Sequence, residues 1–198
     1  IDGVDGLAAG TALIACVAFG VWFSFSAETL HWSLVAFSLS GALLGFLVFN
    51  FNPARIFMGD SGSLIIGAVV SVLAIKLIES PVGWLPSEYQ QVSTPVLAMA
   101  ILAYPLLDTL RVFTIRTARG KSPLSADRNH LHHKMLEKDK RHKKTVITIY
   151  IFTVAMITQA FFFQFEEPTV SFGLCLGFCA LFVFYIFYIY KKRVDEEE

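Results

Sequence analysis

The chain has 198 residues, of which 55% are hydrophobic and only 16% are charged. A soluble domain typically carries about a quarter charged residues, so this composition excludes an ordinary water-soluble domain and favours lipid as the solvent. The formal net charge is zero. The chain therefore lacks the excess of basic residues that attracts nucleic acid, and we expect no nucleic-acid partner.

Six apolar segments qualify, or nearly qualify, as membrane-spanning helices, because about 20 apolar residues cover the hydrocarbon core. Polar connections separate them, and a charged segment, KKRVDEEE, follows the last one. The predicted fold is all-α, a polytopic bundle of about six transmembrane helices in a membrane domain over residues 1–190, with a cytoplasmic tail over 191–198. The predicted helices are Leu7–Phe25, Trp32–Phe49, Ser63–Ile78, Pro95–Ile115, Thr145–Phe165 and Val170–Tyr190.

The basic residues indicate which side of the membrane each connection faces. If the first helix leaves the cytoplasm, the outer connections at 26–31, 79–94 and 166–169 contain glutamates but no Lys or Arg. Lys76 is then the one exception among 16 basic residues, a distribution that matches the positive-inside rule. Three polar motifs, IDGVDG, NFNPARIFMGDSGS and DRNHLHHK, are consequently predicted at the cytoplasmic face.

The first motif contains two carboxylates, Asp2 and Asp5, three residues apart. This spacing places both on one face if a helix has begun there. As hard oxygen ligands or hydrogen-bond acceptors, they suit a metal or a nucleotide. The alternative is a pair of Asp-Gly turns that lead into the first helix, with Asp5 as its N-cap.

The second motif places Asp60 between glycines at the mouth of the third predicted helix. An unpaired carboxylate beside hydrocarbon is costly, whereas glycines and a helix start let a phosphate approach the backbone. A Mg²⁺ ion would bridge the carboxylate and the phosphate. The alternative is that Asp60 and Ser63 only cap the helix. Upstream, Asn50 and Phe57 belong to a polar turn whose aromatic ring could stack on a base.

The third motif contains three of the five histidines within four positions. In a helix, His130, His133 and Lys134 would share a face, with His132 beside Arg128. Imidazoles and cations together can grip a diphosphate and stabilise charge on the leaving phosphate. A zinc site is an alternative, although cysteine partners are absent from the motif. A solvated basic loop that serves only as a topology signal is the other.

Smaller features have structural interpretations. Asp108 lies inside the fourth predicted helix, three residues before Arg111, and an internal ion pair is favoured over catalysis. Gly41 and Gly45 form a GxxxG pattern in the second helix, which predicts a packing contact. The three cysteines fall in apolar runs without metal-site spacing, so we assign them no function.

Four motifs in order, IDGVDGLAAG, NPARIFMGDSGS, PLLDTLRV and DRNHLHHK, cover residues 1 to about 134. Together they resemble the polyprenyl-phosphate N-acetylhexosamine-1-phosphate transferase family. That family includes GlcNAc-1-phosphate transferases and the phospho-MurNAc-pentapeptide transferase of peptidoglycan synthesis. The HxHH pattern after Asp-Arg resembles the GlcNAc branch more. An upstream Asp-Asp motif of the family is not found in these residues, so the chain is similar to the C-terminal half of such an enzyme.

The resemblance assigns roles to individual residues. Asp60 matches the family's Mg²⁺ ligand, the two acids of IDGVDG match its DGxDG acids, and Asn50 and Phe57 match uridine-contacting positions. His132 and His133 match the histidine motif near the diphosphate. The predicted catalytic residues are Asp2, Asp5, Asp60, His132 and His133, and the predicted substrate-binding residues are Asn50, Phe57, Arg128, His130 and Lys134.

The resemblance also implies an activity. It is the transfer of N-acetylhexosamine-1-phosphate, with GlcNAc favoured, from a UDP-sugar to polyprenyl (undecaprenyl) phosphate, which gives polyprenyl-diphosphate-sugar and UMP. The step would initiate cell-envelope polysaccharide synthesis at the bacterial inner membrane, with Mg²⁺ or Mn²⁺ as cofactor, residues 1–190 as the catalytic domain, and a homodimer as one assembly. The alternatives are the phospho-MurNAc-pentapeptide transferase, a non-catalytic module that binds lipid phosphate, and a transporter.

Overall fold

The computed structural model describes residues 4–120, 122, 131, 135, 142–163 and 167–195, with side chains described as far as residue 188. Helices and short turns account for these residues, and no strand occurs among them. The predicted all-α fold is confirmed. The helices with bounds are α1 (Leu7–Phe23), α2 (Leu30–Asn50), α3 (Gly59–Glu79), α4 (Thr94–Ile101), α5 (Ala103–Ala118), α6 (His142–Phe162) and α7 (Pro168–Asp195).

The helices have the lengths and surfaces of a membrane protein. Long apolar side chains point outward along several of them: Val48, Leu64 and Phe184 are 74%, 72% and 68% exposed. Such surfaces are stable where hydrocarbon surrounds the bundle. Four stretches of the described chain are long and apolar enough to cross a membrane, namely Ala27–Asn50, Gly59–Glu79, His142–Phe162 and Pro168–Tyr188.

The first helix is shorter than predicted and lies in the centre of the bundle. Helix α1 has 17 residues, which at 1.5 Å per residue is near the lower limit for a membrane span. Its side chains Leu7, Phe19 and Phe23 are fully buried. Against it packs α2, where Ser33 donates a hydrogen bond to the Gly20 carbonyl at 2.8 Å. Helix α1 is therefore held in the core of the bundle along its length.

The fourth predicted helix is broken. Helices α4 and α5 meet at Leu102 with a bend of 74°, so the prediction of one continuous helix over Pro95–Ile115 was wrong. The cause lies in Pro105, which has no N–H to donate to Ile101 and whose ring clashes with that carbonyl in a straight helix. Counted as one span, the bent pair brings the described spans to five.

The GxxxG prediction was also wrong for the described residues. A Cβ atom added at Gly41 or at Gly45 would meet no atom of the described chain within 4 Å. These two glycines lie on an outward face of α2, whereas close helix contact occurs at Gly20, where an added Cβ would lie 2.7 Å from the Phe37 ring.

Candidate active site

A left-handed turn at Gly6 joins the first motif to the loop between α2 and α3. Gly6 has a φ of 78°, which glycine adopts without steric cost. Its N–H donates to Asn50 Oδ1 at 3.1 Å. The Asn50 amide in turn donates to the Ile56 carbonyl at 2.8 Å. Asn50, a predicted substrate-binding residue, is thus buried at the junction of the first two motifs.

The Asp5 carboxylate makes a second link between the same segments. Its Oδ2 accepts hydrogen bonds from Asn52 Nδ2 at 3.0 Å and from the Ala54 N–H at 3.1 Å. The N-cap position of α1 is occupied by Gly6, so the capping interpretation of Asp5 was wrong. Sequence reasoning did not include Asn52 in the site. We call Asp5, Gly6, Asn50, Asn52 and Ala54 the clasp.

Helix α6 docks on the clasp through Tyr150. The Tyr150 hydroxyl donates a hydrogen bond to the Gly6 carbonyl, across 144 positions of sequence. The same hydroxyl occupies the space beside Gly10, where an added Cβ would lie only 1.7 Å from it. Sequence reasoning missed Tyr150. The available signal was a tyrosine within an apolar helix, because a buried phenol usually requires a hydrogen-bond partner.

The residues just before and inside the first turn of α3 are exposed. Phe57 is 79% exposed, and the Asp60 carboxylate receives no hydrogen bond or ion pair from the described residues. The N-cap position belongs to Met58, which makes no side-chain cap, and the Ser63 hydroxyl donates to the Asp60 backbone carbonyl. The interpretation that Asp60 and Ser63 only cap α3 was therefore wrong. The side chains of Phe57 and Asp60 are therefore both exposed at the start of α3.

An apolar cavity of about 300 Å³ begins one helical turn from Asp60, at Ser63. The hydroxyls of two of its lining threonines, Thr11 and Thr153, donate to carbonyls four residues earlier in their own helices. The wall consequently presents mainly hydrocarbon. The cavity is lined by Ala8, Thr11, Ala12, Ala15, Met58, Ser63, Ile66, Gly67, Val70, Ile101, Leu102, Pro105 and Thr153. It thus lies between α1, α3 and α6 at the break between α4 and α5.

Asp108 on α5 reaches the histidine motif. Its carboxylate is 2% exposed, and Oδ1 accepts a hydrogen bond from the Leu131 N–H at 2.7 Å. Leu131 is itself fully buried. The sequence favours an ion pair between Asp108 and Arg111 on the same helix and does not predict this contact with Leu131. Arg111 lies with its guanidinium 5.6 Å from the centre of the Phe187 ring.

Several predicted site residues lie outside the described residues, so their proximity to Asp60 stays a prediction. Among the residues that are described, no group of three or more His, Cys, Asp or Glu side chains could hold a metal. A single exposed carboxylate still fits Mg²⁺, which is usually bound by one or two carboxylates together with substrate phosphates. The predicted residues outside the description are Asp2, Arg128, His130, His132, His133 and Lys134.

Comparison with known proteins gives consistent matches. The family model for glycosyl transferase family 4 matches residues 1–78. The chain is 39% identical over 161 residues to a decaprenyl-phosphate N-acetylglucosaminephosphotransferase of Mycolicibacterium smegmatis, which covers 76% of this chain and 40% of that protein. It is 31% identical over 199 residues to a probable undecaprenyl-phosphate N-acetylglucosaminyl 1-phosphate transferase of Bacillus subtilis, covering 99% of this chain and 50% of the relative.

A shorter match reaches a second type of enzyme. The chain is 47% identical over 74 residues to a phospho-N-acetylmuramoyl-pentapeptide-transferase of Listeria monocytogenes, covering 37% of this chain and 22% of that protein. The chain spans about half the length, or less, of each of these relatives. These matches agree with the order of the motifs and with the all-α membrane fold. The chain belongs to glycosyl transferase family 4, the polyprenyl-phosphate N-acetylhexosamine-1-phosphate transferases.

Proposed function

We propose that the protein transfers GlcNAc-1-phosphate from UDP-GlcNAc to a polyprenyl phosphate, which gives polyprenyl-diphosphate-GlcNAc and UMP. Two relatives whose names specify N-acetylglucosamine phosphate transfer to a polyprenyl phosphate match 76% and 99% of the chain. The step would initiate a cell-envelope polysaccharide.

One observation carries the proposal: an exposed carboxylate, Asp60, lies one helical turn from an apolar cavity. The reaction joins a water-soluble nucleotide sugar to a lipid phosphate, so its site needs a polar part open to water beside an apolar part. The exposed segment at Phe57 and Asp60 supplies the first part. The cavity between the helices would take the isoprenoid units nearest the lipid phosphate, and the remaining chain would stay in the bilayer.

The described residues suggest which side chains bind the base and which bind the diphosphate of the nucleotide sugar. Phe57 is exposed and can stack on the uracil ring, an interaction that any base allows through its π-face. The Asp60 carboxylate would hold Mg²⁺ or Mn²⁺, which when bound neutralises part of the charge on the diphosphate. The clasp holds the α2–α3 loop, which carries Phe57 and leads into Asp60, against the start of α1, and Tyr150 of α6 bonds to the same start.

The proposed chemistry is a phosphoryl transfer. An oxygen of the polyprenyl phosphate attacks the β-phosphorus of UDP-GlcNAc, and the bond from that phosphorus to the bridging oxygen breaks. The bridging oxygen and its electron pair leave with UMP. Such reactions depend on positioning and on stabilisation of negative charge rather than on a covalent intermediate. The basic residues and histidines at 128–134 would stabilise the charge that develops on the leaving phosphate.

The distribution of charge supports a cytoplasmic site. The connection that carries Arg55 and the one that begins after α5 are predicted on the same side as the charged tail at 191–198. The clasp, built from the start of α1 and the α2–α3 loop, lies at one end of the bundle. We propose that this end faces the cytoplasm of a bacterial cell, where nucleotide sugars are available.

A second candidate activity is the transfer of phospho-MurNAc-pentapeptide, because the Listeria relative is 47% identical over its 74 matched residues. That match covers 37% of the chain, whereas the two GlcNAc relatives match 76% and 99% of it. The longer matches favour GlcNAc as the sugar.

The test is a direct assay of the full-length protein, purified in detergent, with undecaprenyl phosphate and Mg²⁺. UDP-GlcNAc labelled in the sugar should yield a labelled lipid and an equal amount of UMP. UDP-MurNAc-pentapeptide, assayed in parallel, should yield little product. A labelled lipid from the second donor alone would assign the alternative activity, and no lipid product from either would refute the transferase proposal.

A further inference from the structure

The Asp108 carboxylate joins two parts of the chain that are 23 positions apart. It lies in the middle of α5, yet it accepts a hydrogen bond at 2.7 Å from the backbone N–H of Leu131. Both residues are buried, with 2% and 0% of their surfaces exposed. A hydrogen bond between groups that are buried away from water is stronger than one at the protein surface.

The residue that donates this hydrogen bond lies inside the histidine motif. Leu131 is the second residue of the motif HLHH, so it is bonded directly to His130 and His132. Its N–H is held by Asp108, and its side chain belongs to the hydrophobic core. A contact to a backbone N–H constrains the main chain itself, whatever the side chain is. The motif is therefore anchored at its apolar residue, Leu131.

We infer that Asp108 is a positioning residue that fixes the backbone at Leu131 and thereby sets the position of the histidines on either side. This inference rests on the proposed function of those histidines. Direct contact between Asp108 and a substrate or metal is not part of it, because a carboxylate that is 2% exposed has no access to a ligand. An ion pair with Arg111, which the sequence favours, would involve only helix α5. It would not explain the hydrogen bond that Asp108 accepts from Leu131, 23 positions along the chain.

Two substitutions separate the hydrogen bond from the charge. Asp108→Asn keeps an acceptor oxygen in a side chain of the same shape, whereas Asp108→Leu keeps the branching at Cγ in a larger side chain and removes the acceptor. Thr114→Ala is the matched control, because Thr114 is exposed on the same helix and its hydroxyl bonds only within that helix. Should Asp108→Leu not be recovered folded, Asp108→Ser replaces it, because serine is too short to reach Leu131.

The first readout does not depend on activity. Arg128 and Lys134 flank Leu131, so limited trypsin digestion of the folded full-length protein reports how firmly this segment is held. Asp108→Leu should be cleaved there about tenfold faster than the parent, since local opening becomes easier when an anchor is lost. Asp108→Asn should be cleaved at close to the parental rate, and Thr114→Ala at the parental rate.

The second readout is the kinetics with UDP-GlcNAc, undecaprenyl phosphate and Mg²⁺, expressed per folded molecule. Asp108→Leu should lower kcat about 10- to 100-fold, the usual cost of removing a group that orients a functional side chain. UMP binding, measured separately by calorimetry, should change less than about threefold, because the nucleoside is held at Phe57. Asp108→Asn should recover most of kcat.

The outcomes are distinct. Faster cleavage with a lower kcat and rescue by Asn supports the inference. Unchanged cleavage in Asp108→Leu overturns it, and so does faster cleavage with an unchanged kcat, because the anchor would then have no effect on the histidines. If the parent protein itself has no transferase activity, the proposed function fails, and the cleavage result still decides whether Asp108 anchors the motif.

Discussion

The clasp and the exposed segment at Phe57–Asp60 lie within a few residues of each other and differ in how their polar groups are used. In the clasp, Asp5 and Asn50 are each engaged with protein partners at 2.8–3.1 Å. In the exposed segment, the Asp60 carboxylate has no partner among the described residues. This difference supports our proposal that the clasp is a structural frame and that the exposed segment binds the ligand.

The largest effect should come from the exposed segment. Asp60→Asn removes the charge that would hold the metal, and we expect kcat to fall about 100- to 1000-fold, as when a group that stabilises transition-state charge is lost. Thermal stability should not change, because no described residue bonds to that carboxylate. Kinetics and thermal melting of the purified full-length protein would measure both. Glu88→Gln, an exposed carboxylate in the α3–α4 connection, is the control; activity near the parental level in Asp60→Asn would remove the metal role.

Variants of Asp5 test whether its carboxylate only supports the clasp or also binds a ligand. Asp5→Ala leaves the Ala54 N–H and the Asn52 amide without their acceptor, and we expect a loss of about 1–3 kcal/mol of stability together with about a 10- to 100-fold loss of activity. Asp5→Asn can still present an oxygen to both donors, so it should retain most of both. The measurement is thermal melting and kcat/KM for the two variants. If Asp5→Asn is as inactive as Asp5→Ala while remaining folded, the negative charge itself is required, and Asp5 belongs with the ligand-binding residues.

A smaller effect is expected from the exposed aromatic ring. Phe57→Ala should raise the KM for UDP-GlcNAc about tenfold, since stacking on a base contributes about 1–3 kcal/mol. Because the side chain is 79% exposed, stability should stay the same. Phe57→Tyr, which keeps a flat ring, serves as the control. A change in kcat without a change in KM would argue against base stacking.

The smallest effect expected on catalysis, and a clear one on stability, comes from a pair of glycines. Gly10→Ala places a Cβ 1.7 Å from the Tyr150 hydroxyl, so the Tyr150 ring or α6 must move away from the clasp, at a cost of about 1–3 kcal/mol. Gly41→Ala meets nothing within 4 Å and should be neutral or slightly stabilising, because alanine favours a helix. Thermal melting of both variants measures the difference. Equal melting temperatures would show that α6 does not dock tightly on the turn.

The sequence alone was sufficient to predict the class of fold and the family. Long apolar runs predict membrane helices because lipid offers no partners for backbone polar groups, which leaves the helix as the structure that satisfies them locally. All six predicted segments are helical over most of the residues that the structure describes, and the motifs led to the correct family. The break at Leu102 was missed although its cause, Pro105, is visible in the sequence. The hydrophobic pattern continues across the proline, so hydrophobicity alone predicts one helix there.

The tertiary structure decided which polar groups serve the frame and which remain available. Asp5, Asp60 and Asp108 are each an aspartate near a helix in the sequence, yet one binds a loop 47 positions away, one is exposed, and one anchors a residue 23 positions away. Periodicity and spacing report only neighbours within a turn or two of helix. Partners that are distant in sequence depend on how the helices pack, and packing is determined by the shapes of many side chains at once.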